Sequence, residues 1–400
     1  MRKHKPDLVI AVFVLILMAV GLIIIYAIGP AWAQFQNSVN GTHYGENDFF
    51  RHQLISVAVS VVMMMAAYKL PFRWTERAGK WLLVGGLLAC ALLAVLSTTD
   101  SSWVRCSLGA CRWYNLPLGM SVQPVEILKL GVLVYLASLI AKRKREGKLE
   151  TKEMWVPVAI LAAVVVGLIG VMQKDLGSTV VIIFMLGCML VASGVRWRVL
   201  LMMGVAAAVM VTLLIVMFPH RMERLTSFSG DGENTHHIDN ALLAIGRGGL
   251  FGVGVGNSVQ ATGYLPESIN DSVFAVLGET FGFVGLMAVV GCFTVLLLRL
   301  LRTAERLDGD RAERLVVVGV FAWVAGHVII NIMGMTGLMP MKGITLPYLS
   351  SGGTSMMFVA IAMGIALQLS GWTKREVEDE NISSRRRERR ARYSGSRRGA

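Results

Sequence analysis

The sequence predicts an all-α integral membrane protein with ten transmembrane helices, a long external loop between the seventh and eighth, and both termini in the cytoplasm. Three observations carry this. Of the 400 residues, 54% are apolar and 16% charged, whereas soluble domains carry about 25% charged residues. Ten apolar runs of membrane-spanning length follow one another, at about 8–28, 53–69, 81–97, 125–141, 154–172, 177–195, 199–218, 272–298, 315–339 and 353–371. The segments between them alternate in charge: 30 of the 39 Lys and Arg fall on one side, eight on the other, and Lys129 inside a run. Positive residues stay on the cytoplasmic side, which puts both termini there.

The same alternation accounts for most of the net charge of +13, so the basic balance is topology and does not point to nucleic acid. The composition also excludes a disordered chain, a collagen-like fibre, a disulfide-dense scaffold and a soluble multidomain enzyme. The first run ends near Ala31-Trp32-Ala33, which looks like a signal-peptidase site. At about 20 residues the run exceeds a signal-peptide core, so it reads as a retained first helix. Residues 1–372 form the membrane domain, with the external loop at 219–271. Within that loop, Ala241 to Gly256 is apolar, glycine-rich and too short to span, which suits an interfacial or re-entrant piece. Its glycines lack the G-x-G-x-x-G spacing of dinucleotide binding. Residues 373–400 read as a disordered, basic cytoplasmic tail suited to anionic lipids.

Ionisable groups inside a membrane are costly and point to function. Glu126 and Lys129 stand three residues apart on the fourth helix and share a face. They read either as a neutralised structural pair or as a pair bordering a cavity that receives an anionic headgroup. Glu279 in the eighth run has no sequence-local partner and is expected to bond to another helix. Asp271 ends the long loop where that run begins, so it is either a helix cap or a catalytic acid. The few positives on the external side include Arg221, Arg224, Arg247 and Lys342, and such residues clamp phosphates. The last external loop, Gly337 to Met356, holds two prolines and several hydroxyls, among them Ser350, Ser351, Thr354 and Ser355. Cys106 and Cys111 share an external loop and either pair, if that side is oxidising, or remain free thiols.

Four stretches, QPVEILKL (Gln123 to Leu130), QKDLGSTVV (Gln173 to Val181), Ala244 to Gly285, and Gly337 to Met356, together with RMERLTSF (Arg221 to Phe228), resemble the SEDS family (shape, elongation, division and sporulation). GNSVQ (Gly256 to Gln260), FAVLGE (Phe274 to Glu279) and Lys342 are similar to its FtsW-like division branch more than to its RodA-like elongation branch. The resemblance implies a bacterial glycosyltransferase that polymerises lipid II at the outer face of the cytoplasmic membrane. A class B penicillin-binding protein and other divisome membrane proteins would be its partners. It places the essential external aspartate on Asp271, puts Glu126 and Lys129 beside a central cavity, and makes Arg221, Arg224, Arg247, Lys342, Ser351 and Thr354 candidates for substrate contact. Glu279, Glu267 and Asp175 would support them. A divalent cation, Mg2+ or Mn2+, is an expected helper, and no organic cofactor is expected. The sequence departs from the family pattern at Val125, Lys174, Ala261, Ser268 to Asn270, Ser272 and Ser351, which bears on headgroup contacts and leaves the acid and the carboxylate–lysine pair in place. A lipid flippase would suit the buried charges too, although no inverted repeat of the transporter kind is visible.

Overall fold

A computed structural model describes residues 2–99, 102–107, 110–115, 121–216, 233–340 and 343–373. Among the described residues eleven α-helices are present. They are α1 (Leu8–Asn40), α2 (Asp48–Lys69), α3 (Phe72–Leu96), α4 (Pro124–Arg145), α5 (Lys152–Val165, continued by a π-helical turn Val166–Met172), α6 (Leu176–Ser193), α7 (Trp197–Val216), α8 (Glu233–Gly248), α9 (Val273–Arg306), α10 (Ala312–Met335) and α11 (Gly353–Leu369). Among the described residues eight are long and apolar enough to cross a membrane: α1 to α6, α9 and α10. The chain is a multi-pass membrane protein. Helix α11 is apolar but only 17 residues long, and α7 coincides with the seventh apolar run. The basic tail from 374 onward lies outside the described residues.

The all-α expectation needs one amendment, because two small antiparallel sheets cap the bundle. Strands β2 (Val104–Ser107), β3 (Ala110–Asn115) and β4 (Ser121–Val122) form one of them between α3 and α4. Cys106 pairs with Cys111 in the β2–β3 ladder, and the two are joined as a disulfide. The other sheet pairs β1 (Arg2–Lys3) with β5 (Trp372–Thr373). Nearby, His4 N donates to Gly371 O and Asp7 N to Ser370 Oγ, so the two ends of the domain meet at one end of the bundle.

Small residues let the helices close up, the usual membrane solution where lipid offers no hydrophobic drive. A methyl group on Gly86 would come within 2.7 Å of Leu128 Cα, so α3 and α4 touch backbone to backbone. Helix α1 continues beyond its predicted run through Pro30, with Trp32 and Ala33 packed inside.

The glycine-rich stretch has a definite job. Helix α9 breaks at Gly282, whose φ of 67° and ψ of −167° are not helical. A broken helix frees backbone groups that lipid cannot satisfy. The chain following α8 supplies partners: Val253 N donates to Glu279 O and Gly254 N to Thr280 O, while Phe283 N and Val284 N donate to Gly249 O and Leu250 O. Side chains on Gly248 or Gly252 would collide with the carbonyls of Gly278 and Thr280. The Ala241 to Gly256 stretch is thus half helix and half a strap laid across the kink.

Candidate active site

The site lies at the end of the bundle away from the paired termini, where α4, α6 and α11 begin and α10 ends. Asp271 is half-buried just ahead of α9. Ser272, itself without a side-chain capping hydrogen bond, stands at the N-cap position of α9. Among the described residues, nothing donates a hydrogen bond to the Asp271 carboxylate, while its backbone carbonyl accepts from Asn331 Nδ2 at 2.7 Å. Burial, with the negative charges of Glu267 and Asp175 opposed by Arg112, pushes its pKa up to about 7.

The neighbours of Asp271 come from four directions. Asp271 Oδ2 and Arg112 Nη1 lie 3.3 and 3.9 Å from the point where a side chain on Gly343 would begin, so a short gap, walled by glycine, separates acid and guanidinium. Arg112 follows the bonded Cys111 on β3, and its Nη2 donates to Lys174 O at 2.7 Å. Glu267 shapes the turn into the site: its carboxylate accepts from Asn270 Nδ2, and its carbonyl accepts from the amides of Asn270 and Ser272. Asp175 caps α6 through Ser178 N and accepts from Gln123 at the head of α4, which is a supporting role.

Three residues other than glycine adopt left-handed backbone among the described ones: Lys174, Glu267 and Tyr348, at φ of 55°, 50° and 67°. All lie on the segments that build this end, and such strain is stored where a site over-determines its backbone.

Other predicted residues fall differently. Glu126 and Lys129 pair at 2.7 Å and are almost completely buried. Lys129 Nζ also meets His327 Nε2 at 3.2 Å and stands over the Trp323 ring. In this conformation the pair faces packed protein, not a headgroup, because α10 closes over it. Arg247 lies 3.8 Å from Glu279, so its charge already has an internal partner. Glu279 was expected to bond to another helix. Besides Arg247 on α8, it receives Ser258 Oγ and the amides of Val259 and Gln260, fastening the strap. Thr354 Oγ1 donates to Ser121 O, tying α11 to β4, and Ser351 N donates to Ile269 O in the loop before Asp271. Thr354 is thus spent on structure, while Ser351 braces the acid's loop. Arg221, Arg224 and Lys342 lie outside the described residues.

Arg112, Asn331 and His327 were not singled out from the sequence. Arg112 registered only as one external charge among eight. His327 and Asn331 sit inside the ninth apolar run, and their signal was the one used for Glu279: a polar group in a membrane helix. Among the described residues no group of three or more His, Cys, Asp or Glu is arranged to hold a metal ion.

Fold and site together define a polytopic membrane protein with three carboxylates, Asp271, Glu267 and Asp175, and the Arg112 guanidinium gathered at one face. Residues 7–375 match the family model described as "Cell cycle protein" FtsW/RodA/SpoVE, and the chain belongs to that family. A protein of Nitrosomonas europaea named "Probable peptidoglycan glycosyltransferase FtsW" is 32% identical over 93% of this chain and 94% of its own. "Stage V sporulation protein E" of Bacillus subtilis is 31% identical over 93% and 99%. Among solved structures, the rod shape determining protein RodA of Thermus thermophilus superposes with a TM-score of 0.65 at 24% identity, covering 91% of this chain and 96% of that one. A chain from a study of the coordination of polymerization and crosslinking by a peptidoglycan synthase complex gives 0.70 at 22%, covering 91% and 97%. These two carry the fold.

Proposed function

We propose that this protein is a peptidoglycan glycosyltransferase that polymerises lipid II at the outer face of the bacterial cytoplasmic membrane, with Asp271 as general base. The observation that carries the mechanism is the Asp271 carboxylate, without a hydrogen-bond donor among the described residues and facing Arg112 across a narrow gap. The relatives named as FtsW glycosyltransferases support the activity.

In the reaction, the GlcNAc 4-hydroxyl of one substrate attacks the anomeric carbon of the other. A new C–O bond forms there as the bond to undecaprenyl pyrophosphate breaks. Asp271 takes the hydroxyl proton, as a carboxylate within reach of it can. No second carboxylate is proposed as nucleophile, so the anomeric centre inverts. The leaving diphosphate needs positive charge. Arg112, Arg221, Arg224 and Lys342 are the proposed source. A divalent cation arriving with the diphosphate remains part of the proposal, tested by adding chelator, and no step is assigned to it because the described residues offer no cluster of three or more His, Cys, Asp or Glu.

Ten crossings with cytoplasmic termini fit the meeting of β1 and β5 at one end together with the charge alternation. Kinship with FtsW proteins favours a septal location. The likeness to a synthase complex favours a class B penicillin-binding partner. The deciding experiment incubates purified protein with lipid II, with and without such a partner. Glycan strands on a gel that vanish with Asp271→Asn support the reading. Undamaged polymerisation by Asp271→Asn rejects it, and unchanged lipid II from the unmodified protein favours transport.

A further inference from the structure

We propose that Asn331 is a positioning residue for Asp271, and that the buried Glu126–Lys129 pair acts on the same unit through His327 rather than by touching substrate. This rests on Asp271 being the base. His327 and Asn331 stand four residues apart on α10, so they share one face. Both are buried, and each reaches out of its helix to a carbonyl of the segment that walls the site.

Asn331 Nδ2 donates twice, to Asp271 O at 2.7 Å and to Ile344 O at 2.6 Å. One amide group therefore ties the residue carrying the base to the strand of chain beside Gly343, against which the Asp271 carboxylate rests. Only the NH2 end of the amide can serve two carbonyls, which fixes its orientation. Among the described residues the buried amide oxygen has no hydrogen-bond donor. A polar side chain tolerates that cost where its donors are irreplaceable.

One turn earlier, His327 Nδ1 meets Thr345 O at 3.2 Å while Nε2 meets Lys129 Nζ at 3.2 Å. Ammonium can only donate and a carbonyl only accept, so both contacts are satisfied with the imidazole proton on Nδ1. Glu126 holds Lys129 from the other side at 2.7 Å. A continuous chain thus runs from Glu126 through Lys129 and His327 to Thr345, and through the neighbouring Ile344 and Asn331 to Asp271. Lys129 is 1% exposed, so its route to the reaction is this chain.

The test uses full-length protein polymerising lipid II, alone and with a class B penicillin-binding protein. Displacing a catalytic group by about 1 Å costs on the order of 100-fold. Asn331→Ala should lower kcat by about 10- to 100-fold with KM for lipid II little changed. Asp271→Asn leaves no rate to compare, so the combination is made with His327→Ala, to which Asn331→Ala should add little because groups acting as a unit are not additive. A merely structural role would give multiplying losses, and that result overturns the proposal. So does a kcat within threefold of the unmodified protein. Should Asn331→Ala fail to fold, Asn331→Ser keeps one donor of two and should show a smaller loss with the same non-additivity. The paired change Glu126→Gln with Lys129→Met, which leaves no unpartnered buried charge, and His327→Ala should likewise not multiply; multiplying losses would overturn the His327 route. An inactive Asp271→Asn beside a fully active Asn331→Ala sinks this inference alone, whereas an active Asp271→Asn sinks the function it rests on.

Discussion

The charges around Asp271 make the acid limb of the pH–rate profile a quantitative test. Its pKa near 7 means that half of the molecules carry the required carboxylate at pH 7 and about one in eleven at pH 6. Polymerisation should therefore fall about tenfold per pH unit below 7 and level off above it. The direction follows from the chemistry: a base with a raised pKa loses activity as pH falls through that value. Arg112 opposes the rise, and its Nη1 is at most about 7 Å from Asp271 Oδ2. At that distance two unit charges interact by roughly 0.6 to 2.4 kcal/mol for effective dielectric constants between about 80 and 20. Arg112→Gln should thus move the midpoint up by roughly 0.4 to 1.8 pH units. Glu267→Gln removes a negative neighbour and should move it down. The assay is initial polymerisation rate at saturating lipid II from about pH 5 to 9, with circular dichroism to confirm folding throughout. A midpoint that ignores both substitutions, or shifts in the opposite order, would refute the assignment of the limb to Asp271.

Two further outcomes concern stability. Lys129→Met leaves Glu126 charged and buried without its partner, which costs about 3–5 kcal/mol, so folded yield should drop sharply; pairing it with Glu126→Gln should restore the yield, read by size-exclusion chromatography. Gly252 has φ of 84° and its missing side chain leaves room for Thr280 O, so Gly252→Ala should destabilise the α8–α9 strap by about 1–3 kcal/mol in thermal unfolding. Gly246→Ala, in open space on α8, should be neutral or mildly stabilising.

Hydropathy and charge alternation locate the apolar helices because lipid leaves no other backbone solution. Asp271 was visible as an acid at the mouth of a helix, but the sequence alone could not separate a cap from a base. Ser272 at the N-cap position, and an Asp271 carboxylate near Arg112 some 160 positions earlier in the chain, are spatial facts that support the proposed base and that no local pattern carries. The glycines of 248 to 254 stood out as a cluster, yet their purpose depends on a break at Gly282 that no local pattern announces. Glu126 and Lys129 were legible as a pair from their spacing. Their closure by His327 and Trp323 was not, because it requires α10 to pack against α4.

What the sequence by itself determined is therefore what depends on one segment and its solvent: which runs are apolar enough to enter lipid, how basic residues alternate between them, and which ionisable groups fall inside apolar runs. What only the tertiary structure decided is which of those groups meet. Arg112, Lys174, Glu267, Asp271, Asn331 and Gly343 come from five separate stretches of chain. They converge because close helix packing at glycines and a re-satisfied kink in α9 bring their ends to one face. Contacts of that kind have no period and no neighbour in sequence, and a charge near a base acts through distance in space.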